Sequence, residues 1–127
     1  MVREYSAIVL KHFFEPSHFQ RIEDADRIGI AGKVEDGDYF EFSAQLTGDT
    51  IERIGFQTIG CAPAIAAGSL LSQELEGKRI ADVLGWNVER LLDAMGGLPE
   101  EKTFCARIAI QALHKLTNKV TKEGRYL

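Results

Sequence analysis

Residues 56–75 read FQTIGCAPAIAAGSLLSQEL, and the spacing of the apolar residues changes within this stretch. Up to Thr58 the apolar residues alternate with other residues, as they do in a half-buried strand. After Gly60 they recur at helical spacing, and Gly77 is placed to end the helix. Cys61 therefore lies at a helix start, where the positive field favours the thiolate that binds metal or sulfur. The alternative is that Cys61 is a small core residue.

Two more strand patterns precede this stretch. We predict strands over residues 27–34, 38–47 and 50–58, separated by the tight-turn sequences EDGD and TGDT. Such strands form an antiparallel meander with one apolar face. We expect that face to carry Ile28, Ile30, Val34, Phe40, Phe42, Ala44, Leu46, Ile54, Phe56 and Thr58.

Helical patterns occupy the rest of the chain. The opening helix ends at Pro16, and its apolar face consists of Tyr5, Ile8, Val9, His12 and Phe13. Two short helical segments follow Gly77, the second with Asn87 as N-cap and a stop at Gly96-Gly97.

A linker leads to a long amphipathic helix from about Cys105 to Lys122. Its apolar stripe consists of Ile108, Ala109, Ala112, Leu113, Leu116 and Val120. The fold class predicted is α+β: a three-stranded antiparallel meander covered by helices, forming a single domain over residues 1–127.

Composition excludes several classes of function. The 127 residues carry a formal net charge of -4 and show no basic face, which argues against nucleic acid as a partner. No apolar run approaches the roughly 20 residues that span a bilayer, and the N-terminus lacks a cleavable signal pattern, so we expect no membrane association and a cytoplasmic location. Two cysteines are too few for a disulfide framework and would stay reduced there.

Four residues remain as candidates for chemistry, because no hydrolase motif, phosphate loop or paired histidine is present. Asp36, Asp38, Cys61 and Cys105 all fall at connections between predicted elements. If the helices pack on the meander, these connections can converge, and thiolates with carboxylates make a metal site. Each residue also has an ordinary interpretation: Asp36-Gly37 suits a type I′ turn, and either cysteine suits a core.

The chain resembles the scaffold proteins of iron–sulfur cluster assembly, the IscU/NifU/SufU family, along nearly its whole length. YSAIVLKHFFEP resembles the opening helix of the family, and EDGDYFEF resembles the turn that carries its first cysteine and an aspartate. TIGCAPAIAAGSLL resembles the helix of the second cysteine, and LPEEKTFC the segment that ends in the third.

The resemblance implies a role for each candidate residue. Cys61 and Cys105 take the positions of cluster ligands, and Asp38 takes that of the aspartate that modulates how firmly the cluster is held. Asp36 stands where the family has its first cysteine, and Phe104 stands where members often have histidine. The chaperone-recognition run Leu-Pro-Pro-Val-Lys corresponds here to LPEEK, residues 98–102, with two acidic residues in place of apolar ones.

Three functions follow as hypotheses, none of them enzymatic. The first is a scaffold or carrier that binds a labile iron–sulfur cluster, expected to be 2Fe–2S, or a single zinc or iron ion through Asp36, Asp38, Cys61 and Cys105. Its partners would be a cysteine desulfurase and recipient apo-iron–sulfur proteins, with chaperones as further candidates. The second is a metal-free module in which Cys105 accepts persulfide sulfur and Cys61 resolves it. The third is a protein-binding member that has lost cluster assembly.

Overall fold

The computed structural model describes residues 5–118, and it has the predicted α+β architecture. Three strands form one antiparallel sheet in the order β1-β2-β3, so the predicted meander is confirmed. The elements in chain order are α1 (Ala7–Phe14), β1 (Arg27–Lys33), β2 (Asp38–Thr47), β3 (Thr50–Ile59), α2 (Ala62–Leu75), α3 (Ile80–Val83), α4 (Val88–Ala94) and α5 (Thr103–Thr117). Within the described residues, no helix is both long enough and apolar enough to cross a bilayer.

Two hairpins of different kinds connect the strands. Between β2 and β3, Thr47 pairs with Thr50, and Gly48 has a φ of 62°. Between β1 and β2 the loop is longer: Val34–Asp36 form one 3₁₀ turn, and Gly37 closes it with a φ of 68° and an N–H bond to the Val34 carbonyl. A type I′ turn needs positive φ at two consecutive central residues, and only Gly37 of this loop has it. The interpretation of Asp36-Gly37 as a type I′ turn is therefore wrong.

The core lies between the inner face of the sheet and two helices. Helix α2 packs on β3, and α5 packs on β1 and β2. The side chains of Phe40, Phe42 and Phe56 are 0% exposed and that of Ile54 is 1% exposed. The predicted burial of these four side chains is confirmed.

The first strand faces the opposite way from the prediction. Ile28, Ile30 and Val34 are 51%, 43% and 52% exposed, whereas Gly29 and Ala31 are buried. The reason is that α5 lies directly on the backbone of β1. A Cβ at Gly29 would overlap backbone atoms of Ala112 and Leu116. So close an approach admits only small residues on the inner side of the strand and turns the isoleucines outward.

The segment between α1 and β1 covers the outer side of the sheet. The Phe56 N–H donates to the His18 carbonyl at 2.9 Å, which holds the segment at the free edge of β3. Farther along, the Ile22 N–H donates to Ser43 Oγ at 2.9 Å. The outer face of β2 is therefore buried as well, and Ser43 is 0% exposed.

Most predicted helix ends are confirmed. The Asn87 side chain caps α4 by accepting from the Arg90 N–H at 2.9 Å, and Gly77, Gly96 and Gly97 have positive φ where helices stop. Helix α5 begins at Thr103, two residues earlier than predicted, and ends at Thr117, where the backbone of Asn118 is extended, five residues before the predicted end at Lys122. Of its predicted stripe, the five residues up to Leu116 are buried, and Val120 lies outside the described residues, as does Lys122.

The predicted face of α1 is only partly confirmed. Val9 and His12 are buried, Tyr5 and Phe13 are half-buried, and Ile8 is 42% exposed. Helix α1 packs mainly on α2, so it buries a narrower stripe of its side chains than a helix that packs on two neighbours.

The buried imidazole of His12 joins α1 to α2. His12 is 6% exposed, and its Nδ1 lies 2.7 Å from Ser69 Oγ, which also accepts the Ser17 N–H at 3.0 Å. Ser69 Oγ carries one proton of its own, which it can donate to Nδ1 when the imidazole is neutral. The network therefore suits a neutral imidazole.

We expect His12 to make the fold sensitive to acid. Burial lowers the pKa of His12 below its ordinary value, Lys11 lowers it further, and Glu74 opposes them. A His with a lowered pKa stabilises the fold above the unfolded-state value near 6.5, and this stability is lost as the pH falls through the folded-state value. The free energy of unfolding in urea, measured from pH 8 to pH 5, should fall less steeply for His12→Gln than for the wild type. His114→Gln, which alters an exposed imidazole, is the matched control. Parallel curves for His12→Gln and the wild type would contradict this role.

Candidate metal centre

Cys61 lies where strand β3 passes into helix α2. The strand ends at Ile59, Gly60 makes the bend, and Cys61 is the N-cap residue of the helix. Its backbone is extended, with φ -89° and ψ 169°, and its side chain makes no capping hydrogen bond. The half-buried Cys61 side chain lies at the positive end of α2 and takes no part in capping the helix.

Cys105 lies in the first turn of helix α5 and is 0% exposed. A 3₁₀ turn at Glu100–Lys102 leads into this helix, and Thr103 Oγ1 donates to the Glu100 carbonyl at 2.9 Å. The region that the sequence predicts as a plain linker is thus ordered as a helical lead-in. It fixes the start of α5, and with it the position of Cys105.

The structure brings the two cysteines together across 44 residues of sequence. They form a disulfide with their Cα atoms 7.3 Å apart, so the expectation that both cysteines stay reduced is wrong for this structure. Disulfides usually join Cα atoms roughly 4.4–6.8 Å apart. The two backbones are spaced somewhat more widely than that. Reduction of the disulfide would leave two neighbouring thiols within reach of one ion.

Asp38 shares a cleft of about 330 Å³ with both cysteines. It is the first residue of β2, pairs across the hairpin with Lys33, and is exposed. The other residues that line the cleft are mostly apolar or small: Gly37, Thr58, Ile59, Gly60, Ala64, Phe104 and Ile108. The cleft thus offers two sulfurs and one carboxylate among apolar walls.

Asp36 is the candidate that the structure leaves apart. It is exposed on the 3₁₀ turn between β1 and β2 and is not among the residues that line the cleft. Among residues 5–118, no three His, Cys, Asp or Glu side chains are already arranged to hold a metal ion. The set Asp36, Asp38, Cys61 and Cys105 therefore stays a prediction as a ligand group.

One buried carboxylate on β2 was not predicted from the sequence. Glu41 is 0% exposed on the outer face of β2, where its Oε2 accepts from Arg21 Nε at 2.7 Å and its Oε1 accepts from Tyr39 Oη at 2.6 Å. The hydrogen bond from Arg21 lowers the pKa of Glu41, while burial and then Glu41 itself raise the pKa of Tyr39. The alternation in YFEF places Glu41 opposite the phenylalanines, but no sequence signal indicates that Arg21 covers it.

The chain matches the family described as NifU-like N-terminal domain over residues 4–123. It belongs to the NifU-like N-terminal domain family. An iron–sulfur cluster assembly scaffold protein, IscU 1 of Archaeoglobus fulgidus, is 38% identical over 122 residues, which cover 95% of this chain and 80% of the relative. The IscU scaffold protein of Aquifex aeolicus is 34% identical over 125 residues, with 96% and 80% coverage.

A solved structure supports the NifU-like fold. The putative SUF-system scaffold from Fervidobacterium islandicum aligns with a TM-score of 0.69 at 16% identity, covering 91% of this chain and 98% of that one. At that identity the likeness concerns the fold alone. It confirms the architecture that the resemblance in the sequence implies.

Proposed function

We propose that this NifU-like chain is a scaffold or carrier in iron–sulfur cluster assembly. The observation that carries the proposal is the contact between Cys61 and Cys105 in a cleft that Asp38 also lines. Relatives at 38% and 34% identity are named as scaffolds of this kind. The cargo is a labile cluster, proposed as 2Fe–2S, or a single zinc or iron ion.

The donor set suits a weakly held cargo. Thiolates are the usual ligands of iron–sulfur clusters, whereas carboxylates are harder donors. Zinc accepts tetrahedral mixtures of sulfur and oxygen. Two sulfurs with Asp38, and with Asp36 as the further predicted ligand, would hold such a cargo less firmly than three sulfurs.

The rest of the proposal concerns the setting. A cysteine desulfurase would supply sulfur, recipient apo-iron–sulfur proteins would take the product, and chaperones are further candidates. The chain is proposed to act in the cytoplasm as a single domain over residues 1–127, without an enzymatic activity of its own, and without nucleic acid or membrane as a partner.

Anaerobic purification followed by iron, zinc and sulfide analysis tests the proposal. We expect visible absorbance with equal iron and sulfide, or a stoichiometric metal ion without sulfide. Protein that carries neither, and that takes up neither on reconstitution, would overturn the scaffold proposal and favour the protein-binding hypothesis.

Asp36→Cys should lengthen the lifetime of a reconstituted cluster severalfold. The change restores a thiolate at the position where the family has its first cysteine, and a third sulfur holds iron more firmly than a carboxylate does. The measurement is the decay of visible absorbance under air for the variant and the wild type. Glu35→Cys, one position away on the same exposed turn, is the matched control. Equal lifetimes for the wild type and Asp36→Cys would mean that Asp36 is only a turn residue.

The direct contact of the two sulfurs also supports a second candidate function. In it, Cys105 accepts a persulfide from a desulfurase. The Cys61 thiolate then attacks Sγ of Cys105, which forms a disulfide and releases hydrosulfide. Loading the metal-free protein with persulfide tests this function. Hydrosulfide release that disappears in Cys61→Ser would support it, and a persulfide that persists unchanged in the wild type would exclude it.

A further inference from the structure

Thr58 lies between the two strands that carry the proposed ligands. It is three residues before Cys61 on β3, and its neighbour across the sheet is Phe40 of β2. Its Oγ1 donates to the Tyr39 carbonyl at 2.7 Å, and Tyr39 directly follows Asp38. One hydroxyl therefore links the strand that leads to Cys61 with the strand that begins at Asp38.

The acceptor of this hydrogen bond is itself held in place. Tyr39 Oη donates to Glu41 Oε1 at 2.6 Å, and Glu41 is fully buried beneath the Arg21 guanidinium. A buried carboxylate with two charge-assisted or hydroxyl donors is a rigid anchor. Tyr39 thus has its side chain fixed on the outer face of the sheet while its carbonyl receives Thr58.

Thr58 also separates two clefts at this end of the sheet. It lines the cleft of the cysteines, and with Ile59 it lines a second cleft of about 380 Å³ beside Arg21 and Tyr39. Beyond Tyr39 and Ile59, which face each other, β2 and β3 no longer pair, while Asp38 still pairs with Lys33 of β1. The hydroxyl of Thr58 therefore makes the last side-chain hydrogen bond between β2 and β3 before the cleft, among the residues that the structure describes.

We propose that Thr58 is a positioning residue, whose hydroxyl fixes the Asp38 end of β2 against the Cys61 end of β3. The inference rests on the proposed function, in which Asp38 is a ligand held within reach of the two sulfurs. Without the hydroxyl, the Asp38 end of β2 is held less closely against the Cys61 end of β3, and the carboxylate contributes less to metal binding. The sulfurs, which α2 and α5 position, keep their contact.

The geometry is tested first in the absence of metal. Asp38→Cys is combined with Cys105→Ser, and the equilibrium constant for a disulfide between the introduced thiol and Cys61 is measured in a glutathione buffer. We expect Thr58→Val to lower this equilibrium constant about fivefold, which corresponds to the loss of one ordinary hydrogen bond. Thr58→Ser, which keeps the hydroxyl, should leave it unchanged. An unchanged value in Thr58→Val would overturn the positioning role whether or not the protein binds metal.

The second measurement is a double-mutant cycle on zinc affinity. Thr58→Val should weaken zinc binding about fivefold in the wild type and have no effect in Asp38→Ala, because the lost hydrogen bond acts through the carboxylate. Thr47→Val, which removes an exposed hydroxyl at the far end of β2, is the matched control. An equal loss in both backgrounds would contradict positioning of Asp38. A wild type that binds no zinc or cluster counts against the proposed function, and the disulfide equilibrium still decides the role of Thr58.

Discussion

Cys61→Ser should abolish binding of both an iron–sulfur cluster and zinc. The serine hydroxyl does not ionise near neutral pH, so one of the two sulfur donors in the cleft is lost. Metal and sulfide content after anaerobic reconstitution should fall to background, together with the visible absorbance.

The position of Cys61 makes this a clean test, since it separates binding from folding. Cys61 is the N-cap residue of α2 and makes no side-chain cap, whereas serine is among the preferred N-cap residues. Under reducing conditions, in which neither protein has the Cys61–Cys105 disulfide, we therefore expect the urea midpoint of Cys61→Ser to equal or exceed that of the wild type. A variant that folds and still carries stoichiometric metal would show that Cys61 is not a ligand.

Gly29→Ala should destabilise the protein by about 3 kcal/mol or more, a large part of the 5–15 kcal/mol typical of a whole domain. The new Cβ would lie 2.9 Å from Leu116 Cα and would overlap the Ala112 carbonyl oxygen. Both neighbours are backbone atoms of α5, so relief requires the helix to lift from β1. Urea unfolding followed by circular dichroism gives the free energy.

Gly85→Ala is the matched control for this change. No atom lies within 4 Å of a Cβ at Gly85, and its φ is not positive. We expect its free energy of unfolding to change by less than about 0.5 kcal/mol. Equal stabilities for Gly29→Ala and Gly85→Ala would show that α5 does not rest on β1 as described.

The sequence predicted the elements well and the contacts of β1 poorly. Alternation in β2 and β3, the turn sequences and the helix caps are local signals, so the meander and the helix ends could be predicted. The orientation of β1 depends on where α5 lies, which is a long-range contact. Ile28 and Ile30 follow the same alternating pattern as Phe40 and Phe42, yet they lie on the outer side because Gly29 admits the helix.

The candidate metal centre also combines features that could be predicted from the sequence with features that could not. The contact between Cys61 and Cys105 agrees with the expected convergence of the connections, since both lie at helix starts on one side of the sheet. Asp36 could not be placed from sequence, because its position depends on a 3₁₀ turn that replaces the expected two-residue turn. The burial of Glu41 could not be predicted, because a charged residue in a strand pattern does not indicate which residue will pair with it. Here that residue is Arg21.

The anchoring of α5 on β1 also bears on how the chain folds. Arg27 Nη1 donates to the Thr117 carbonyl at 2.9 Å, and the two residues are 90 positions apart in the sequence. Strand β1 therefore completes its contacts only after α5 has been synthesised. Contacts so distant in sequence slow folding, because a long loop must close before they form. During synthesis, a chain released only as far as α4 lacks both the cover of β1 and the partner of Cys61. The two cysteines consequently come together only in the finished fold, and a chain that stops before α5 offers a metal ion one sulfur donor instead of two.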